Sequence, residues 1–110
     1  MLRFIIHNSR FMILYIDTTD YNSATFAVVK NSKVIKKSYK TDPHKVYETL
    51  QKLDEFLKSK KLKVESIRKI VVNKGPGSFT GTRVGIAYAL ALKLALKIPV
   101  TFLFKNKFKI

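Results

Sequence analysis

A glycine-rich segment between a strand pattern and a helix pattern constrains the fold of this chain most strongly. It reads Gly75-Pro76-Gly77-Ser78-Phe79-Thr80-Gly81-Thr82-Arg83, after a β-branched run over 67–73 and before an Ala/Leu-rich helix pattern over 84–97. Glycines in such a strand-to-helix loop let the backbone approach a neighbour closely, and the helix N-terminus beyond them favours anions. The segment therefore predicts a loop whose backbone approaches a neighbouring group closely. A bound anion is one candidate for that group.

Length and composition exclude several classes of protein. The chain has 110 residues and no cysteine, which fits a single domain without disulfides or thiolate metal sites. The apolar run over 84–96 is interrupted by Lys93, and it is shorter than the roughly 20 residues that a membrane span needs. We expect a cytoplasmic protein without a membrane-spanning segment.

The charge balance is strongly basic. The chain carries 22 lysines and arginines against 7 acidic residues, for a net charge of +15. Such a balance favours an anionic partner, such as RNA or an acidic protein, and it is equally compatible with a solubilising surface. Composition alone leaves both interpretations open.

Periodicity and turn residues predict five strands and two helices. The first helix begins at Asp42-Pro43 and runs to about Ser59, with an apolar face of Val46, Leu50, Leu53 and Leu57. The second begins at Thr80 or Gly81 and is apolar nearly all round, which predicts burial on more than one side and contact with another chain. The strands are predicted over 12–17, 24–30, 33–40, 67–73 and 98–104. The order β-β-β-α-β-α-β gives an α/β fold with one mixed sheet of strand order 3-2-1-4-5.

Few residues offer catalytic chemistry. Asp17 ends the first strand beside the glycine loop, where a carboxylate could hold magnesium, but no second carboxylate is placed by a strand end. A turn-capping role is the preferred interpretation of Asp17. Arg83 could bind an anion, although an ion pair with Asp17 is favoured. Ser78 does not lie in a G-x-S-x-G elbow, and the loop lacks the Walker lysine. We expect no metal site, no catalytic residue and no cofactor.

Two long segments resemble the N-terminal domain of the TsaB family, also called YeaZ. They are ILYIDTTDYNSATFAVV near the start and IRKIVVNKGPGSFTGTRVGIAYALALKLALKIPV later on. The GPGSFTG-x-R-x-G element is the most specific part, and the Asp-Thr element after the first strand is weaker. The residues matching these motifs are Asp17, Thr18, Gly75, Pro76, Gly77, Ser78, Phe79, Thr80, Gly81, Arg83 and Gly85.

The resemblance implies both a fold and a role. The fold is a single ribonuclease-H-like lobe of the actin-like ATPase kind. The role is that of a non-catalytic partner of the catalytic subunit TsaD in making threonylcarbamoyladenosine in tRNA, with a TsaE-like ATPase docking on the pair. Because family members pair through N-terminal-domain helices, the expected interface residues are Ala87, Leu90, Ala91 and Leu94.

The resemblance also predicts a domain organisation and leaves alternatives. Residues 1–11 are expected to be an N-terminal extension, 12–104 the family domain, and 105–110 a basic tail without a partner element, with the usual second lobe absent. Open alternatives are a basic tRNA-binding module acting through lysine clusters, a homodimer through the second helix, and a truncated remnant. A metal-dependent phosphotransferase or peptidase using Asp17 and the glycine loop is less favoured.

Overall fold

Five strands form one mixed sheet in the computed structural model, which describes residues 11–42 and 44–110. The predicted extension over 1–11 lies outside the described residues except for Phe11, and so does Pro43 of the predicted helix start. A 3₁₀ turn covers Val64–Ser66. The main elements are β1 Met12–Asp17, β2 Ser23–Lys30, β3 Lys33–Lys40, α1 Tyr47–Ser59, β4 Ile67–Asn73, α2 Phe79–Leu96 and β5 Val100–Leu103.

The strand order is β3-β2-β1-β4-β5, which confirms the predicted topology. The two hairpins pair β1 with β2 and β2 with β3 in antiparallel register. The two crossovers, through α1 and α2, place β4 parallel to β1 and β5 parallel to β4. As a result, the C-terminal ends of β1 and β4 meet at one edge of the sheet, where the glycine loop begins.

The core lies between one face of the sheet and the two helices. Alternate residues of β1, Leu14 and Ile16, are fully buried with Phe26 of β2 and Phe56 of α1. The intervening residues Ile13 and Tyr15 are only half-buried, because successive strand side chains point to opposite faces.

Helix α1 differs from its predicted start and face. It begins at Tyr47, and the preceding backbone forms a turn in which the Asp42 carbonyl accepts from the Lys45 amide at 2.9 Å. The predicted start at Asp42 is therefore wrong, because its carbonyl and carboxylate accept hydrogen bonds within the turn. Its amide donates to the Glu48 carboxylate of α1 at 2.8 Å. The buried face includes Leu53 and Leu57 as predicted, together with Thr49 and Phe56. Val46 and Leu50, predicted to be buried, are 49% and 51% exposed.

Helix α2 is buried on one side only. Gly85 and Ala89 are its fully buried residues, and Ile86, Leu92 and Leu96 are half-buried against the core. In this single chain the opposite side is exposed, and the predicted burial of that side against another chain stays a prediction. By length and composition alone α2 could cross a membrane, since it starts at Phe79 and is longer than the run counted from the sequence. The inner face of α2 packs on the sheet through Gly85 and Ala89.

The C-terminal tail packs against the rest of the chain. The Lys105 amide donates to the Gly75 carbonyl at 2.7 Å, and the Phe108 ring meets the Tyr15 ring edge-on with centroids 5.9 Å apart. Tyr15 alternates with the buried Leu14 and Ile16, so the tail lies on the sheet face away from the helices. The prediction of a tail without a partner element missed this aromatic contact.

Candidate functional site

The glycine loop begins with a backbone conformation that requires glycine. Gly75 has φ +98°, a region that L side chains rarely adopt. Its amide donates to the Asn73 Oδ1 at 2.9 Å, and Asn73 is only 1% exposed. Asn73 was not among the predicted site residues, although an asparagine two positions before a glycine is a recognisable turn signal.

The rest of the loop packs against the Thr18–Thr19 turn that follows β1. The Ser78 amide donates to the Thr19 carbonyl at 2.6 Å, and the Thr18 hydroxyl donates to the Gly81 carbonyl at 2.5 Å. A Cβ at Gly77 would lie 2.6 Å from the Thr19 Cβ. A Cβ at Gly81 would collide with the Thr18 carbonyl, and one at Gly85 with the Thr18 hydroxyl.

The space that these glycines leave is therefore occupied by the chain itself. Ser78 caps α2, with its hydroxyl accepting from the Gly81 amide at 3.2 Å. The cavity beside the loop, between Thr18, Asp42 and Thr80, has a volume of about 20 Å³, room for one water molecule. The anion cradle considered from the sequence is thus replaced by an internal packing contact.

Asp17 serves the same turn. Its Oδ1 accepts from the Thr19 amide at 3.0 Å and from the Thr19 hydroxyl at 2.7 Å, which is the turn-capping geometry preferred from the sequence. Within the described part of the chain, no group of three or more His, Cys, Asp or Glu side chains could hold a metal ion.

Arg83 does not pair with Asp17. In residues 11–42 and 44–110, the ion pairs join Lys52 to Glu55 and Lys58 to Asp54. The Arg83 guanidinium instead lies over the Phe79 ring, 4.2 Å from its centroid. The favoured ion pair is therefore wrong, and this stacked pair stands at the surface, with Phe79 62% exposed.

The four predicted interface residues lie together on the outer face of α2. Ala87, Leu90, Ala91 and Leu94 are all exposed, and their spacing places them on one side of the helix, opposite the buried Gly85 and Ala89. We call these four residues the α2 stripe. Leu94 is 79% exposed and Leu90 41%, which is unusual for two leucines on one helix face.

An apolar groove extends the α2 stripe towards the start of α1. It has a volume of about 350 Å³, and Val46, Phe79, Val84, Ala87 and Tyr88 are among its lining residues. The Tyr88 hydroxyl donates to the Val46 carbonyl at 2.8 Å, which joins the two helices. Burial raises the pKa of the Tyr88 hydroxyl above its ordinary value.

The comparisons with known proteins agree with this architecture. YeaZ from Pseudomonas aeruginosa is a structural neighbour with a TM-score of 0.75 and 22% identity, covering 84% of this chain and 44% of that chain. This likeness confirms the ribonuclease-H-like, actin-like α/β fold with its 3-2-1-4-5 sheet.

Sequence comparisons identify the family of this chain. The family model for TsaD, tRNA N6-adenosine threonylcarbamoyltransferase, matches residues 23–103, and the chain therefore belongs to this family. TsaB of Buchnera aphidicola subsp. Schizaphis graminum is 32% identical over 89 residues, 81% of this chain and 42% of that protein. TsaB of Bacillus subtilis is 34% identical over 91 residues, 81% of this chain and 39% of that protein. These relatives confirm the predicted TsaB resemblance, and the chain spans about two fifths of their length.

Proposed function

We propose that this chain acts in the biosynthesis of threonylcarbamoyladenosine in tRNA, in the cytoplasm, as a partner subunit of a TsaD-type catalytic chain. The names of its TsaB relatives support the pathway. The observation that carries the partner role is the α2 stripe, an exposed apolar surface on a helix whose inner face is already packed on its own sheet.

The α2 stripe has the composition of a protein interface. Leu90 and Leu94 are flanked by small alanines, which allow a partner helix to approach closely. At the groove end, exposed Phe79 and Val46 add apolar area. Contiguous apolar patches of this kind mark association surfaces, and burying them releases about 25 cal/mol for each Å² removed from water. The occupant we propose is a helical face of the TsaD-type chain.

Catalysis by this chain itself finds little support. The Asp17 carboxylate is engaged by Thr19, and the glycine loop is filled by Thr18 and Thr19. A phosphotransferase or peptidase would need a ligand-sized polar site at this position. The polar cavity between Thr18, Asp42 and Thr80 is about 20 Å³, and the larger groove at Phe79 is apolar. We therefore place the chemistry in the partner, with a TsaE-like ATPase as a third component.

The test is coexpression with the TsaD of the same organism, followed by light scattering after size exclusion. We expect a complex of one chain to one TsaD. Leu94→Glu and Leu90→Glu should each weaken it by at least about 100-fold, because an unpaired charge buried in an interface costs several kcal/mol. Asn106→Glu, which adds the same charge on the exposed tail, should leave the complex intact.

Two results would contradict the proposal. A complex that tolerates both leucine substitutions would place the interface elsewhere. A wild-type chain that remains a homodimer or aggregate in the presence of TsaD would favour self-association or a nonfunctional remnant.

A further inference from the structure

A basic depression lies at the end of the sheet opposite the glycine loop. Four cationic residues line it, Lys30 at the end of β2, Lys61 and Lys63 after α1, and Arg68 in β4, and its volume is about 770 Å³. Met12, at the start of β1, also lines it, whereas Asp17 at the other end of β1 adjoins the glycine loop. At about 3.3 Å per residue, the two ends of β1 are roughly 17 Å apart, so the depression is separate from the loop.

The cations of the basic depression are not neutralised within the described part of the chain. Glu65 is the acidic residue among its lining side chains. None of Lys30, Lys61, Lys63 and Arg68 forms an ion pair in residues 11–42 and 44–110, whereas nearby Lys58 is held by Asp54 at 3.0 Å. Like charges gathered in one concavity repel each other and raise the local concentration of anions.

Arg68 is held in position for an anion. Its Nη1 donates to the Glu65 carbonyl at 2.7 Å, and its guanidinium lies 4.1 Å from the centroid of the Phe11 ring. A guanidinium fixed in this way loses less conformational freedom on binding, and its planar fork suits the oxygens of a phosphate. Phe11 itself is 46% exposed, which leaves an aromatic surface beside the cations.

We infer that the basic depression binds the phosphate backbone of tRNA. The choice of tRNA rests on the proposed function. The shape of the site supports a nucleic-acid strand, because a concave surface lined by several separated cations matches a convex chain of phosphates. A flat lipid surface would contact the rim of a concavity more readily than its interior. Phosphate contacts of this kind position an RNA without reading its sequence.

The inference is tested with an in-vitro-transcribed tRNA in fluorescence anisotropy titrations between about 50 and 200 mM NaCl. The test variant combines Lys61→Gln, Lys63→Gln and Arg68→Gln. The matched control combines Lys105→Gln, Lys107→Gln and Lys109→Gln, three exposed tail lysines outside the depression. For the test variant we expect at least tenfold weaker binding at the lowest salt. The slope of log K against log salt should also be smaller by about 2, since each lost phosphate contact removes about 0.7–0.9.

A second variant is used if the first one is destabilised. If the urea midpoint of the first variant falls, Lys30→Gln, Lys61→Gln and Lys63→Gln are combined instead, which leaves Arg68 and its contacts with Phe11 and Glu65 in place. The expected loss of affinity and slope is the same.

Three results would overturn the inference. The first is an unchanged salt slope in the test variant. The second is an equal loss of affinity in the test and control variants, which would mean that net charge alone determines tRNA binding. Alternatively, the test variant could lose binding to phosphatidylserine vesicles while retaining tRNA, which would assign the depression to lipid. Complex formation with TsaD is scored separately. A chain that pairs with TsaD but binds tRNA independently of the depression refutes this inference alone. A chain that binds tRNA through the depression but does not pair with TsaD refutes the partner role alone.

Discussion

Gly77, Gly81 and Gly85 share one neighbour, the Thr18–Thr19 turn. At each of these positions the nearest atom to an added Cβ belongs to Thr18 or Thr19. The turn itself is held by Asp17, which accepts two hydrogen bonds from Thr19. At the residue scale, the motif glycines and the Asp-Thr element are two halves of one contact between the end of β1 and the start of α2.

Gly85→Ala should destabilise the chain, against the usual effect of this change in a helix. Alanine normally gains up to about 1 kcal/mol over glycine in a helix interior. Here the new methyl group meets the Thr18 hydroxyl, and overpacking typically costs about 1–3 kcal/mol. We expect a net loss of about 1–2 kcal/mol in urea unfolding. In a Thr18→Ala background the same change should be neutral or stabilising. A gain in stability in the wild-type background would refute the close contact.

Helix α2 carries two apolar faces, one packed against the sheet and one exposed. Its inner face contributes Gly85, Ala89 and the half-buried Leu92 to packing on the sheet. Its outer face is the α2 stripe, in which Leu94 is 79% exposed. At the element scale, the nearly uniform apolar composition of α2 therefore reflects one internal interface and one external surface.

Truncating one leucine on each face should distinguish the packed face from the exposed one. Leu92→Ala should lower the free energy of unfolding by about 2 kcal/mol, because it removes side-chain atoms packed against the core. Leu94→Ala should change it by less than about 0.5 kcal/mol, as surface substitutions usually do. Urea unfolding of the two variants and the wild type measures both values. Equal losses would mean that the outer face is also packed within this chain.

Positive charge is distributed over the whole molecule. Lysines occur along β3, after α1 and in the tail, and the ion pairs of the described residues are two exposed pairs within α1. A net charge of +15 on 110 residues gathers many like charges on one small domain, so self-repulsion opposes folding at low ionic strength.

Added salt should stabilise the isolated chain. Between 0.01 M and 0.15 M salt the Debye length falls from about 30 Å to about 8 Å, which screens the repulsion among the lysines. We expect the urea midpoint to rise over this range and then level off. A sodium chloride series at constant pH measures it, with uncharged sucrose at matched osmolality as the control. A midpoint that falls with salt would mean that attractive pairs dominate.

The strands were predictable because their signals are local. The bounds of β1, β3 and β4 match the predicted runs, since β-branched residues are bounded there by clear turn residues. The start of α1 was not predictable, because Asp42 followed by proline is typical of both a helix N-terminus and a turn. The position of Val46 and Leu50 outside the core depends on how far α1 is rotated against the sheet, which periodicity does not specify.

The candidate site also has features that the sequence predicted and features that it did not. The sequence alone determined the topology, the location of the glycine loop and the apolar character of α2, because these depend on local patterns and on chirality rules for crossovers. Only the tertiary structure decided that the loop is filled by Thr18 and Thr19, and that Lys30, Lys61, Lys63 and Arg68 line one depression. Those contacts join residues far apart in the chain, and their geometry is fixed by the pairing of β1 with β4 and the packing of α2 on both.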